Sequence, residues 1–431
     1  MTHADGSITE TVVDLNTNGT VKQVVVTQVS ANGQSKSVAT TIGTTTTATL
    51  TGNGIALTPG NTATTLTVTG NNNAITLGTS ANTATLAGTG NQVDVTGTSN
   101  TVAFSSGAGK VILENGAKAT LNNASNTVTI KDNGTLTSSY AQTVNVTGNN
   151  NTANVSSSTV NIAAGDGITV IGNSNAVNLT GNGTVTASGN STSVVVTGAG
   201  AGVALSGTGQ TVTESGGILW LSTSVSATLT GNADTLYETG SDTLTVTGTS
   251  HTLDVTGTGN KATLSSSAVT VESGAVLNLT GTNDAVTMKG SGTLTVSSGT
   301  DTVDVFGTGN TITVTGGAGQ ATLETGAAAT VNGNGNTIKM GQNTSVAGSG
   351  TGDFFVFQPA FGHDTITGFD ATGTGHDTIK IDHTIFADWA HLLGACTQSG
   401  ADTIITADAN NNITLKGVTA ASLQQADFQF T

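Results

Sequence analysis

Along most of the chain, apolar and polar residues alternate in short bursts: LTVTG from Leu66, VDVTG from Val93, VNVTG from Val144, LNLTG from Leu277 and VDVFG from Val303. Period-two alternation marks a strand with one buried face, because successive side chains of an extended chain point to opposite sides. Each burst runs into Gly and Asn, which tolerate the left-handed backbone of a corner. The first glycines of the clearest copies are Gly70, Gly97, Gly148, Gly172, Gly198, Gly257, Gly281, Gly307 and Gly333, mostly 24 to 27 residues apart or about twice that. A finer beat of about nine residues runs inside each step, as in LTVTGNNNA-ITLGTSANT-ATLAGTGNQ. Three strand-and-corner units then predict one coil of about 26 residues. Residues 46–347 predict about eleven such coils, pairing in parallel at roughly 4.8 Å per rung in a rod on the order of 50 Å long. The expected fold is all-β, a three-sided parallel β-solenoid (β-helix). Asn recurs at one corner, as Asn151, Asn175, Asn310 and Asn336, and is expected to stack and hydrogen-bond along the axis.

Two flanking regions depart from this beat. In residues 1–45, TETVVDL and VKQVVVTQV alternate around Asn18-Gly19, and Asn32-Gly33 follows the second run. Asn-Gly favours the type I′ turn, so a hairpin or meander is predicted there, serving as a cap or as a joint between copies. Residues 348–431 hold eight of the ten Phe, Trp389 and four of the six His. In TIFADWAHLLGAC, the spacing predicts a short helix with Phe386, Trp389, Ala390 and Leu393 on one face and Cys396 in the core near its end. Strand-like ADTIITAD, NNNITLKGV and ADFQF complete a small β-rich domain.

Composition narrows what such a fold can do. Only 8 % of the 431 residues are charged and the net charge is −16. All ten basic residues are Lys, which counts against nucleic acid, whose phosphates call for clustered Lys and Arg. There is no apolar run of about 18 residues, hence no expected transmembrane segment. MTHADGSITE lacks the basic and apolar regions of a Sec-type signal peptide. Cys396 is the single cysteine, so no intramolecular disulfide framework is possible.

The stretches GTGDFFVFQPAFGHDTITGFD from Gly350 and SGADTIITADANNNITLKGVTAASLQQADFQF ending at Phe430 resemble the C-terminal region of RTX-type bacterial proteins. DGSITETVVDLNTNGTVKQVVVTQVSANGQSKS is similar, more weakly, to hairpin repeats of large members of that group. The resemblance implies export by a type I secretion apparatus to the outside of a Gram-negative cell, and folding there with calcium. The corners of residues 46–347 depart from it: the RTX nonapeptide offers Asp to calcium, whereas these corners are mostly T-G-x-x-N. Most of the solenoid is therefore expected to be metal-free.

Several constellations carry candidate chemistry. GHDTI occurs at residues 362–366 and 375–379, and Asp364 and Asp377 with Asp353, Asp370 and Asp382 are candidate calcium ligands; the alternative is that backbone N–H groups satisfy these carboxylates. His363, His376 and His383 are a weaker zinc candidate, with no metal-ligand spacing linking them. A polysaccharide-modifying enzyme would need a carboxylate cluster and a base on one wall. The acids Asp234, Glu238, Asp242, Asp254, Asp284, Asp301 and Asp304, with His251, Lys261 and Lys289, read instead as scattered among coil phases. Thr-x-Thr pairs raise ice binding, but that calls for the pair at one phase in nearly every coil. Trp220, in GGILWLSTS, breaks the repeat and reads as a buried patch or an exposed contact point. The expected function is that of a secreted, non-enzymatic scaffold such as a surface layer, biofilm matrix, filament or adhesive fibre. Its expected partners are copies of itself, head-to-tail or lateral, with cell-surface polysaccharide as a further candidate. The alternatives are a β-helix lyase or epimerase, or an ice- or carbohydrate-binding adhesin.

Overall fold

In the computed structural model the nine-residue beat closes after two strands. The structure describes residues 4, 8–15, 21–29, 35–41, 46–58, 63–79, 81–315 and 317–431. They are nearly all β, in a parallel solenoid of about 18 turns. Strands pair with the next strand but one: Val111 aligns with Val128 and with Val93, while the intervening strand Lys118–Leu121 aligns with Thr135–Ser138. The expected all-β parallel solenoid is thus present. The expected three sides and 26 residues per coil are corrected to two walls and a repeat of 16 to 18 residues, the offset between side chains and the backbone they bond in the neighbouring coil.

The reason lies in the bends. At Thr69-Gly70-Asn71-Asn72-Asn73, Gly70 has φ +139° and Asn72 φ +57°, and Asn73 turns inward with 1 % of its surface exposed. Two left-handed residues within so few positions reverse the chain rather than turning one side of a triangle. Glycine is required here by closeness as well as by φ: a Cβ on Gly70 would lie 1.9 Å from the Gly52 carbonyl oxygen of the neighbouring coil. Gly248, φ +135°, is tighter still, at 1.6 Å from the Gly231 carbonyl oxygen.

The chain divides into two compact units, Met1–Glu214 and Ser215–Thr431. In the first, the strands Ile8–Leu15, Val21–Val29 and Ser35–Thr41 form an antiparallel sheet in that order. The expected meander is therefore present, while its two Asn-Gly turns lie outside the described residues. Solenoid coils follow from Thr46–Thr51 to Gln210–Thr213. One inner column of this unit reads Ile75, Val93, Val111, Val128, Val144, Val160, Val177, Val194 and Val212. None of these exposes more than 1 % of its surface. Each such side chain contributes roughly 1.5–3 kcal/mol through burial before chain entropy is counted.

The second unit has the same build. Its inner column Leu236, Leu253, Val269, Val286, Val303, Ala321, Ile338, Phe355, Ile379 and Phe428 runs past residue 347 without a break in pairing. In the opposite wall, Asn411–Lys416 joins His363–Thr367 in parallel and then turns the sheet antiparallel through Asp402–Asp408 and Cys396–Ser399. The helix Trp389–Gly394 is shorter than the pattern implied, and Asp388 caps it by accepting from the His391 N–H at 3.0 Å. With that start the helix buries Leu392, and Leu393 is 45 % exposed, correcting the expected face. Phe386 is buried ahead of the helix, and the Trp389 ring packs on Phe428 at 5.3 Å. Cys396 is only half-buried, at the start of a strand, with Sγ 3.3 Å from the Leu392 carbonyl oxygen.

Candidate functional site

The bends carry most of the buried polar groups, and these form ladders parallel to the coil axis. In the first unit the Asn73 Oδ1 accepts from the Ile55 N–H at 2.8 Å and the Asn73 N–H donates to Asn91 Oδ1 at 2.9 Å. The same relay links Gly109, Asn126, Gln142, Ser158 and Asn175 at 2.9 to 3.0 Å. The expected Asn ladder is present, but it works mainly by side-chain oxygen capping a backbone N–H rather than by amide stacking on amide. Such groups, if buried unpaired, would each cost about 1–3 kcal/mol.

In the second unit acids join Asn in the same role. Gly217 N–H donates to Asp234 Oδ1 at 3.0 Å, and Asp234 N–H to His251 Nδ1 at 3.3 Å. His251 N–H donates to Ser267 Oγ, Ser267 N–H to Asp284 Oδ1, and Asp284 N–H to Asp301 Oδ1 at 2.9 Å. Asp234, His251, Asp284 and Asp301 therefore share one buried column, which corrects the expectation that they fall in different phases. A 17-residue offset aligns them; a 26-residue one hides it. Asp242 occupies the other bend, accepting from Val225 at 2.8 Å. Glu238 lies inside the wall itself, in register with Leu221 and Val255. Burial there, then the neighbouring Asp242 charge, pushes its carboxyl up to about 8. Burial likewise pushes Asp284 up to about 7. Asp254 and Asp304 stand on the outer face, Lys261 is exposed, and Lys289 pairs with Glu272 at 2.6 Å.

The candidate calcium ligands belong to the same construction. Asp353 Oδ1 accepts from Asn336 at 2.7 Å; Asp377 Oδ1 accepts from Asp353 and its Oδ2 from Asp370, both at 2.9 Å. Asp364 caps Thr344 through both its N–H and its hydroxyl. Asp370 and Asp382 cap Thr372 and Thr384 at 2.9 and 2.8 Å. Calcium takes six to eight oxygens around one point. These carboxylates face backbone donors, Asp377 bonding both Asp353 and Asp370, and among the described residues no group of three or more His, Cys, Asp or Glu is placed to hold a metal. Burial pushes both Asp353 and Asp364 up to about 6. The three histidines are likewise apart: His363 Nδ1 meets Asn412 Nδ2, His376 Nδ1 meets Asp427 Oδ1 at 3.2 Å, and His383 Nδ1 meets the Thr431 carbonyl at 2.9 Å.

Outside, the walls are short hydroxyl and amide side chains. Thr47, Thr65, Thr83 and Thr101 align, as do Thr49, Thr67 and Thr85, but the next residue in the second column is Ala103. Thr120 continues the first column on the next coil, so the Thr-x-Thr array is interrupted at the second, at Ala103. On the opposite wall Asn178 Nδ2 donates to Asn161 Oδ1 at 2.9 Å and Asn161 Nδ2 to Asn145 Oδ1 at 3.0 Å, an outer amide ladder. Among the described residues, depressions of about 290 and 210 Å³ indent the surface. Asp408 is the one carboxylate lining the first, and only Asn, Thr, Gly and Ile line the second.

Exposed apolar and aromatic side chains interrupt this texture at Tyr140, Phe306 and, in one strand, at both Ile218 and Trp220. The strand Ile218–Leu221 turns Leu219 and Leu221 inward and leaves Ile218 and Trp220 exposed, by 37 % and 42 %. Trp220 aligns with Tyr237 on the next coil, their rings 6.2 Å apart and within 9° of parallel. Of the two sequence readings of Trp220, the exposed one is correct. Compared with protein-family models and with curated proteins, the chain finds no match.

Proposed function

We propose that the chain is a structural scaffold protein, displayed outside a Gram-negative cell and built into a surface layer, biofilm matrix, filament or adhesive fibre by self-association. Export through a type I apparatus is part of the proposal and rests on the likeness of its C-terminal stretch to RTX-type proteins. The observation that carries the scaffold role is the division of chemistry between inside and outside. Apolar columns and capped bends fill the interior, and the outer walls repeat the same small polar side chains coil after coil. A lyase or epimerase would need its acids in contact with substrate, yet of the seven acids named Asp234, Glu238, Asp242, Asp284 and Asp301 are each at most 2 % exposed, and only Asp254 and Asp304 stand on the outer face.

The mode of association favoured is lateral. Parallel solenoids add copies end to end through unpaired strand edges. In the second unit one wall ends in the antiparallel strands Asp402–Asp408 and Cys396–Ser399, which do not offer the parallel edge a further coil needs. Electron microscopy of the full chain, with and without a calcium chelator, tests the reading. Ordered sheets or bundles are expected; monodisperse particles at high concentration under both conditions would overturn it.

A further inference from the structure

We propose that Trp220 and Tyr237 form a binding platform for a neutral polysaccharide, on which the apolar face of a pyranose ring stacks against the indole. Adhesion to such a glycan extends the scaffold reading without depending on self-association.

The placement is a consequence of strand geometry. Ile218–Leu221, Thr235–Glu238 and Thr252–Val255 are adjacent parallel strands whose alternation sends Leu219, Leu236 and Leu253 inward. The opposite face then presents Trp220, Tyr237 and Asp254 in one register column. Later members of that column are Thr270, Thr287, Asp304, Thr322 and Lys339, so folding asks for nothing aromatic at this position. In a chain with only two Trp, one is left 42 % exposed on rigid strands beside a near-parallel Tyr. A centroid distance of 6.2 Å exceeds the ~3.5–4.0 Å of full face contact, so the phenol leaves part of the indole face uncovered.

Size and charge choose the ligand. Two rings and Ile218 make a patch far smaller than the roughly 800 Å² per partner of a stable protein interface. A pyranose presents a C–H face of ring size edged by hydroxyls, and Thr235, Thr252 and Asp254 supply hydrogen-bonding groups beside the rings. Asp254 and a net charge of −16 repel uronic or sulfated polymers, which leaves neutral ones.

Affinity electrophoresis of the full chain through gels containing hydroxyethylcellulose, laminarin, galactomannan or alginate tests this. At least one neutral polymer is expected to retard the protein and alginate is not. Trp220→Thr, which installs a residue common at this outer position, is expected to weaken retardation at least tenfold, Tyr237→Ala several-fold and Trp220→Phe least. Unchanged thermal unfolding of Trp220→Thr shows that it folds, and its unchanged assembly by light scattering separates glycan binding from the scaffold role. Equal mobility of wild type and Trp220→Thr in every neutral gel overturns the proposal. So does stronger retardation by alginate, or loss of assembly in Trp220→Thr without loss of glycan binding, which would make the patch a contact between copies.

Discussion

Asn336 shows how much of the fold rests on single bend side chains. Its Oδ1 accepts from Gly319, its Nδ2 donates to the Gly333 carbonyl at 2.9 Å, and its own N–H is capped by Asp353. Asn336→Ala removes the first two bonds and strands a buried N–H. A loss of about 1–3 kcal/mol is expected, read as a lower urea midpoint at unchanged m-value. The role was partly visible in the repeated T-G-x-x-N, where the last Asn recurs in phase. That Asp234, Asp284, Asp301, Asp353 and Asp377 occupy the same place was equally written in the chain, just before each strand. A 26-residue period hides this alignment and a 17-residue one reveals it.

At the level of the strand, the inner and outer faces of one wall are chemically alike in places but not in energetic weight. Asn145, Asn161 and Asn178 form an outer ladder of amide-to-amide bonds, beside the bend ladder in which side-chain oxygens cap backbone N–H groups. Water can replace those bonds, whereas nothing replaces the bond to a buried N–H. Asn161→Ala is therefore expected to change stability by no more than about 0.5 kcal/mol, in the same urea titration that registers Asn336→Ala. An effect as large as that of Asn336→Ala would mean that the outer ladder, too, holds the coils together. The alternation that separates the two faces was legible from V-x-V and L-x-L alone. The pairing of Trp220 with Tyr237 was not, because it depends on which strand lies beside which.

For the 215–431 unit as a whole, the buried acids set a pH dependence. Glu238, pushed up to about 8, and Asp284, up to about 7, bind protons more tightly folded than unfolded, as do Asp353 and Asp364 at about 6. A raised folded-state value stabilises fully below the ordinary carboxyl range and is lost as pH rises through the folded value. Thermal unfolding is thus expected at its highest midpoint near pH 4 and to fall steadily to about pH 8, with Glu238→Gln flattening the upper part of that fall. A midpoint that rises between about pH 4 and 8 would contradict this origin. The direction is unusual for an acidic protein, since here the carboxyls sit inside rather than on the surface.

Local chemistry determined the strands, their two faces, the corner residues and the parallel stacking, because alternation and left-handed tolerance are properties of a few adjacent residues. The number of walls was decided by tertiary structure. Whether a corner of Gly and Asn turns the chain through one side of a triangle or reverses it depends on the combined φ values and on the carbonyl that the next coil presses against the glycine. That one geometric choice also decided which acids align, which carboxyls are buried, and that an aromatic pair meets on the outer face.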